Sequence, residues 1–321
     1  MRQIALFIIL LLFITAPVSG ADSSDAVIYR EHFIYRFDYP PFVQTADSAL
    51  TFARQRLIEL LRDSLDYLPE IYIADSQDRF RQIIGSAIPD WGAAVAMPYR
   101  QTIVIKSPAR FPVGKSLREL LQHEYTHLAL SERLGFGRAP RWLDEGLAMY
   151  LSSEWGWEDN ISMTRAVLFN NLIPLDEIEK MNLFPEGKAH TAYAQSYLAV
   201  KYFLDNYGIK AFNIFLDSLS RRHFVDSALF AAIGATYEGY ETEFFDYLRK
   251  RYTFMSLFID TLYIWIILAA VVVVGFILNF LKKRRYYRRW EEEDRLQSRD
   301  FDYGDPTKPE ATEDDENKPW A

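Results

Sequence analysis

Two histidines four residues apart, with a glutamate directly after the first, form the most specific pattern in this sequence. His123, Glu124 and His127 belong to the run His-Glu-Tyr-Thr-His. Residues at i and i+4 of an α-helix project from one face, so both imidazoles can bind the same metal ion. Glu124 stands where it can accept a proton from a water molecule beside that ion. The pattern predicts a metal site with a general base; a surface helix with an unrelated histidine pair is the alternative.

The absence of cysteine restricts the ligands that such a site can use. The chain of 321 residues has no Cys and only five His. A disulfide scaffold, a thiolate metal site and a Cys nucleophile are therefore excluded, and a transition metal must be held by imidazole nitrogens and by oxygens. His32 and His223 are interpreted as structural or solvated. The sequence also contains no Gly-rich phosphate loop, nucleophile elbow or dinucleotide fingerprint.

A second segment carries an acidic residue that is suited to complete the site. Pro140 stands at a predicted helix start and is followed by Arg-Trp-Leu-Asp-Glu-Gly-Leu-Ala. The apolar residues of this segment predict a buried helix, which brings Glu145 close to buried surface. Burying a carboxylate without compensation costs several kcal/mol, and a metal ion is an effective compensation.

Together the two segments resemble the gluzincin zinc peptidases, most closely the peptidase MA-like domains and more distantly aminopeptidase N and thermolysin. The resemblance implies one Zn²⁺ bound by His123, His127 and Glu145, with Glu124 as the general base for peptide-bond hydrolysis. It also implies a thermolysin-like zincin fold. The separation of His127 from Glu145 is one residue shorter than expected for aminopeptidase N-like enzymes, which a loop between two helices can absorb.

The same resemblance indicates a group that faces the oxyanion formed when water attacks the peptide carbonyl. The segment 190–197 enters a predicted helix that ends at Gly208, and its first tyrosine is Tyr193. Tyr193 matches the family's tyrosine that hydrogen-bonds the tetrahedral intermediate, although with 20 Tyr in the chain a structural tyrosine is an alternative. His190 is a second candidate, because a His serves in thermolysin-like enzymes; a solvated loop histidine is its alternative interpretation.

The segment that precedes the metal helix has the pattern of a strand. Residues Trp91–Ala96 are predicted to form an edge strand to which an extended peptide can add. Aminopeptidase N-like enzymes carry in this segment a Glu that holds the free amino terminus, but no acid lies between Trp91 and Arg100. This departure from the family pattern argues against amino-terminal trimming and favours an endopeptidase or an unusual specificity. A plain core hairpin is the alternative.

The remaining patterns predict an α+β domain, with a small mixed sheet followed by a helical half. The spacing of Ser116 and Glu119 is that of a capping box at the start of the metal helix, and Gly135 is its predicted end. Strands are predicted at 27–37, 71–74, 93–97 and 102–105, and helices at 45–66, at 77–85 and almost throughout the chain from 116 onward.

Two apolar segments predict how the chain is placed in the cell. Residues 1–20 have the basic start, short apolar run and small-residue exit of a signal peptide, with an uncleaved anchor as the alternative. Residues 257–281 are predicted to form one transmembrane helix rather than a buried core helix. Residues 282–321 combine a basic run with an acidic tail that cannot fold alone. The basic run predicts a cytoplasmic tail and contact with anionic lipid, not nucleic acid.

These predictions give an extracytoplasmic peptidase domain over residues 21–255, periplasmic in a Gram-negative host. The function they favour is a membrane-anchored zinc metallopeptidase that acts on peptide or protein substrates. The main alternative is a non-catalytic peptidase-like domain that binds polypeptide as an assembly factor in the cell envelope. A receptor or scaffold that works through its tail is a third hypothesis.

Overall fold

The computed structural model describes most of the chain between residues 26 and 297. The described ranges are 26–37, 42–62, 65–85, 93–108, 110–111, 115–222, 224–253, 255 and 262–297. The predicted signal peptide, the end of the acidic tail, Trp91 and His223 all lie outside them. The chain divides into two compact units, Met1–Leu257 and Phe258–Ala321, and each is described by itself.

A five-stranded mixed sheet forms the amino-terminal half of the first unit. Its strands are β1 (Ala26–Tyr29), β2 (Ile34–Phe37), β3 (Glu70–Ala74), β4 (Ala94–Met97) and β5 (Thr102–Lys106). In the order β1-β2-β3-β5-β4, the central three strands run parallel, and the outer two pair antiparallel to their neighbours. The mixed sheet is therefore confirmed, and β4 lies at its edge.

The predicted strand 27–37 is instead a β-hairpin formed by β1 and β2. A hydrogen bond of 2.9 Å from the Arg30 amide to the Phe33 carbonyl closes the turn, and His32 lies within it. The segment has no Gly, Pro or Asn to mark where the chain reverses, so its β-rich composition reads as one continuous strand. The single-strand prediction was wrong for this reason.

Eight helices follow or separate these strands in the described part of the first unit. They are α1 (Val43–Leu61), α2 (Gln77–Ile84), α3 (Leu117–Arg133), α4 (Arg141–Ser152), α5 (Trp157–Leu168), α6 (Glu186–Arg222), α7 (Val225–Ile233) and α8 (Tyr237–Arg251). Short 3₁₀ segments occur at Pro98–Arg100 and Glu177–Leu183. Gly208, the predicted helix end, breaks α6 with a φ of 77°, but the chain becomes helical again after it.

The start of α3 is fixed by the predicted capping box. The Glu119 amide donates to Ser116 Oγ at 3.2 Å, and the Ser116 amide donates to Glu119 Oε2 at 2.7 Å. Two amides at the helix start that lack intrahelical partners are satisfied in this way. The cap sets where the first turn begins, and the residues of the His-Glu-Tyr-Thr-His run all follow on buried positions of α3.

The close crossing of α4 and α6 depends on a glycine. A Cβ added at Gly146 would lie 2.2 Å from the carbonyl oxygen of Ser196, closer than any real Cβ contact. Only glycine permits the backbones to approach this far, and an alanine would force the helices apart. Gly146 follows Glu145 directly, so this contact determines where the carboxylate of Glu145 lies.

The second unit contains one described helix, α9 (Leu262–Gln297). Its part Ile264–Arg295 is long and apolar enough to cross a membrane, with a mean hydropathy of 2.8 in its most apolar stretch. None of the most apolar stretch of this helix is buried. The helix continues through the basic run 282–289, well past the predicted end at residue 281.

Candidate metal centre

His123, His127 and Glu145 converge where α3 and α4 cross. Their ligand atoms all lie within 4.8 Å of one another, and His123 Nε2 is 3.5 Å from Glu145 Oε2. All three side chains are buried, with exposed fractions of 2%, 1% and 0%. In the described ranges, no other trio of His, Asp or Glu side chains is placed to share a metal ion.

The free donor atoms of this cluster fit a zinc ion. The Nε2 atoms of His123 and His127 are buried and have no hydrogen-bond partner. A buried polar atom without a partner is costly, and a bound metal ion removes that cost. Two imidazoles and one carboxylate are the protein ligands of many catalytic zinc sites, in which a fourth position stays open for water.

Two further carboxylates orient the imidazoles. His123 Nδ1 lies 2.8 Å from Glu154 Oε1, and His127 Nδ1 lies 2.7 Å from Asp144 Oδ1. A carboxylate at Nδ1 holds the proton on that nitrogen and leaves Nε2 as the metal donor. Neither Asp144 nor Glu154 was predicted from the sequence. The position of Asp144 next to Glu145 could have indicated it, whereas Glu154 lies after α4 and belongs to no periodic pattern.

Glu154 is itself held by groups from two elements. Lys115 pairs with Glu154 Oε2, and the Ser152 hydroxyl donates to Glu154 Oε1 at 2.8 Å. Burial raises the pKa of Glu154, but the charges of His123 and Lys115 outweigh it and hold that pKa well below its usual range. Because Lys115 precedes the cap of α3 and Glu154 follows α4, this chain of contacts joins the two helices that supply the ligands.

The charge around His123 also couples metal binding to proton release. Burial lowers the pKa of His123, but the charge of Glu154 and the contacts with Glu145 and Glu154 raise it to about 10. The surrounding carboxylates thus favour the protonated imidazole when no metal ion is bound. An imidazole must lose that proton before it can bind a metal ion, so zinc affinity is expected to rise with pH.

Changing Glu154 to Gln is expected to weaken zinc binding about tenfold, because loss of an orienting carboxylate lowers metal affinity by about 10- to 100-fold. Glutamine keeps the shape and an acceptor oxygen but removes the charge that faces His123. The zinc dissociation constant is measured by competition with a chromophoric chelator. Glu158→Gln, an exposed site on α5, is the matched control. An unchanged dissociation constant in Glu154→Gln would show that Glu154 does not support the ligand.

Glu124 lies between the metal cluster and the edge of the sheet. Its side chain is 1% exposed, and it accepts a hydrogen bond from the backbone amide of Ala96 on β4. Its Oε2 atom is buried without a hydrogen-bond partner. Burial raises the pKa of Glu124, while the neighbouring His127 and His123 oppose that rise. A carboxyl group with a raised pKa is better matched to proton transfer near neutral pH.

Tyr193 and His190 are separated by one turn of α6 but have different surroundings. The Tyr193 side chain is 8% exposed and accepts a hydrogen bond from Arg141, whose Nη2 is 2.8 Å from Glu145 Oε1. His190 Nε2 lies 3.3 Å from Asp159 Oδ1, and this hydrogen bond raises the pKa of His190. Tyr193 is thus linked to the metal cluster, whereas His190 is paired with α5.

A large cavity lies beside His190 in the described part of the chain. It has a volume of about 910 Å³, is bordered by α5 and the start of α6, and is not lined by any of the three candidate metal ligands. A smaller cavity of about 100 Å³ is lined by His127, Asp144 and Arg141. The candidate metal centre therefore borders the smaller cavity through His127.

A mixed sheet, a buried His-Glu-x-x-His helix and a third ligand on the next helix define a zinc metallopeptidase-like domain. Residues 53–250 match the family model of the Peptidase MA superfamily. The chain belongs to this superfamily, and the matched range contains all five residues proposed for the site. No curated protein matches the chain.

Proposed function

We propose that this protein is a membrane-anchored zinc metallopeptidase that cleaves peptide bonds within a chain. The observation that carries the proposal is the convergence of two buried, unpartnered imidazole nitrogens and the Glu145 carboxylate. Glu124 adds a buried carboxylate oxygen that has no structural hydrogen bond. A structural role explains neither the unpartnered nitrogens nor this oxygen, whereas hydrolysis by activated water uses all of them.

In the proposed reaction, the residues of the cluster have separate roles. His123, His127 and Glu145 would hold one Zn²⁺, which when bound polarises the peptide carbonyl and lowers the pKa of water. Glu124 accepts a proton from the attacking water and later donates it to the leaving amine. The Ala96 amide holds one oxygen of Glu124 in place, so that the other oxygen is available for the proton.

Tyr193 is the proposed donor to the oxyanion. A tyrosine hydroxyl can accept a hydrogen bond and donate its own proton at the same time. The Tyr193 oxygen accepts from Arg141, and in the proposed reaction its proton is donated to the developing negative charge. A donor aimed at that charge stabilises the transition state more than the substrate.

The proposed substrate is an extended polypeptide that lies along β4. Among the described residues, β4 pairs with β5 alone and is an edge of the sheet, which is where an extended peptide can add as a further strand. The Ala96 contact to Glu124 places this edge beside the general base. The lack of an acid between Trp91 and Arg100 supports internal cleavage, since no carboxylate of that segment holds a free amino terminus.

The proposed location rests on α9 and on the sequence that flanks it. The stretch Ile264–Arg295 has the length and composition of a membrane span, and the run 282–289 is strongly basic. Positive charge next to a span favours the cytoplasmic side. Together with the signal peptide predicted at residues 1–20, this supports a peptidase domain on the outer side of the membrane.

The direct test uses the full-length protein in detergent and a peptide library with blocked ends. We expect about one zinc per chain, cleavage of blocked peptides, loss of cleavage after chelation, and recovery when zinc is restored. Peptides with free amino termini but otherwise identical sequences are the control for aminopeptidase activity. Stoichiometric zinc without cleavage of any peptide would contradict the proposal and favour the non-catalytic polypeptide-binding alternative.

A further inference from the structure

Arg141 connects the third metal ligand with the proposed oxyanion donor. It is the first residue of α4, and its side chain is buried although it carries a charge. Its Nη2 atom lies 2.8 Å from Glu145 Oε1, one helical turn further along. The same guanidinium donates a hydrogen bond to the hydroxyl of Tyr193 on α6. One side chain thus contacts two residues that the proposed reaction uses for different purposes.

The position of Arg141 is fixed from a third element. Its backbone amide donates to Glu179 Oε1 at 2.6 Å, and its Nη2 reaches Asn182 Oδ1 at 3.4 Å. Both partners belong to the 3₁₀ segment Glu177–Leu183. A guanidinium is planar and presents its donors in a rigid fork, so fixing its base and its tip also fixes the directions of its hydrogen bonds.

We propose that Arg141 is a positioning residue that determines which oxygen of Glu145 faces the metal ion and where the Tyr193 hydroxyl lies. This rests on the proposed function for the role of Tyr193, but not for the role of Glu145. With Oε1 engaged by Arg141, the oxygen left for the ion is Oε2, which is 3.5 Å from His123 Nε2. Glu145 is therefore a one-oxygen ligand.

The same guanidinium orders the hydroxyl of Tyr193. A donor at that oxygen turns the tyrosine proton away from Arg141. A lysine at position 141 can pair with Glu145 as a point charge, but a single ammonium lacks the fork that reaches both partners in fixed directions. The two contacts of Arg141 can thus be separated by substitution.

The test compares Arg141→Lys, Arg141→Met, Tyr193→Phe and Arg141→Lys/Tyr193→Phe in the full-length protein. We expect Arg141→Met to weaken zinc binding about tenfold and Arg141→Lys to keep it within about threefold. We expect Arg141→Lys and Tyr193→Phe each to lower kcat about 10- to 100-fold with little change in KM, and the double variant to be no slower than Tyr193→Phe. Arg249→Lys and Arg249→Met, at an exposed arginine on α8, are the matched controls.

Two results would overturn the proposal. One is an Arg141→Met variant that binds zinc as tightly as Arg249→Met. The other is an Arg141→Lys effect on kcat that multiplies with that of Tyr193→Phe, which indicates that Arg141 does not act through the tyrosine. A wild-type protein that binds zinc but cleaves nothing refutes the proposed function alone. The chelator competition then still decides whether Arg141 positions Glu145.

Discussion

Changing Glu124 to Gln is expected to lower peptide hydrolysis about 10³-fold while zinc stays bound. A general base contributes about 10²- to 10⁴-fold to a proton-transfer reaction, and glutamine cannot accept the proton. Glutamine has the same shape and keeps an oxygen for the Ala96 amide, so the fold is retained. The measurement is kcat/KM on a blocked fluorogenic peptide, together with zinc content by mass spectrometry.

Glu59→Gln is the matched control, since Glu59 is exposed on α1 and the change removes the same charge. It should leave both hydrolysis and zinc content unchanged. If Glu124→Gln cleaves at the wild-type rate, the cleavage does not depend on this carboxylate and the assignment of the general base is wrong. If Glu124→Gln loses zinc, then Glu124 supports the ligands rather than the chemistry.

Changing His127 to Ala is expected to weaken zinc binding about 10³-fold. The free energy of zinc binding in small domains is about 10–16 kcal/mol and is shared among about four ligands, so each donor contributes several kcal/mol. The change also leaves Asp144 without the imidazole that it contacts at 2.7 Å. Removing one partner of a buried charged pair is destabilising, and the melting temperature should fall as well.

Glu145→Gln tests the third candidate ligand and leaves the contact between His127 and Asp144 in place. We expect it to lose zinc affinity. Its melting temperature should also fall, because the change removes the charge that pairs with buried Arg141. His32→Ala, in the β1–β2 turn, should change neither quantity. If His127→Ala bound zinc at full stoichiometry and with unchanged affinity, a metal centre formed by His123, His127 and Glu145 would be excluded.

The start of α3 and the pairing of its two histidines could be predicted, because both depend on contacts within a single helix. The capping box at Ser116 is a contact between residues three apart, and the structure confirms it. The pairing of His123 with His127 follows from the helical period alone. By contrast, the turn at His32 that divides one predicted strand into two left no local signal in the sequence.

The orienting residues could not be predicted, because they meet the ligands only through non-local packing. Glu154 follows Glu145 by nine residues and His123 by thirty-one. The periodicity of a helix or strand does not extend over such separations when a loop intervenes. Likewise, Tyr193 meets Arg141 because α4 and α6 cross closely at Gly146 and Ser196. The glycine was visible in the sequence, but the backbone that it approaches was not.

The sequence by itself determined which residue types can serve as metal ligands, the pair of histidines with an adjacent glutamate on one helix, and the apolar helix that follows the domain. Each of these depends on residue chemistry and on spacing within one helix or one segment. Only the tertiary structure decided that Asp144 and Glu154 hold the imidazoles, that Ala96 on the edge strand contacts Glu124, and that Arg141 joins Glu145 to Tyr193. The physical reason is that such contacts are made between elements, so they depend on how closely α3, α4, α6 and the sheet pack.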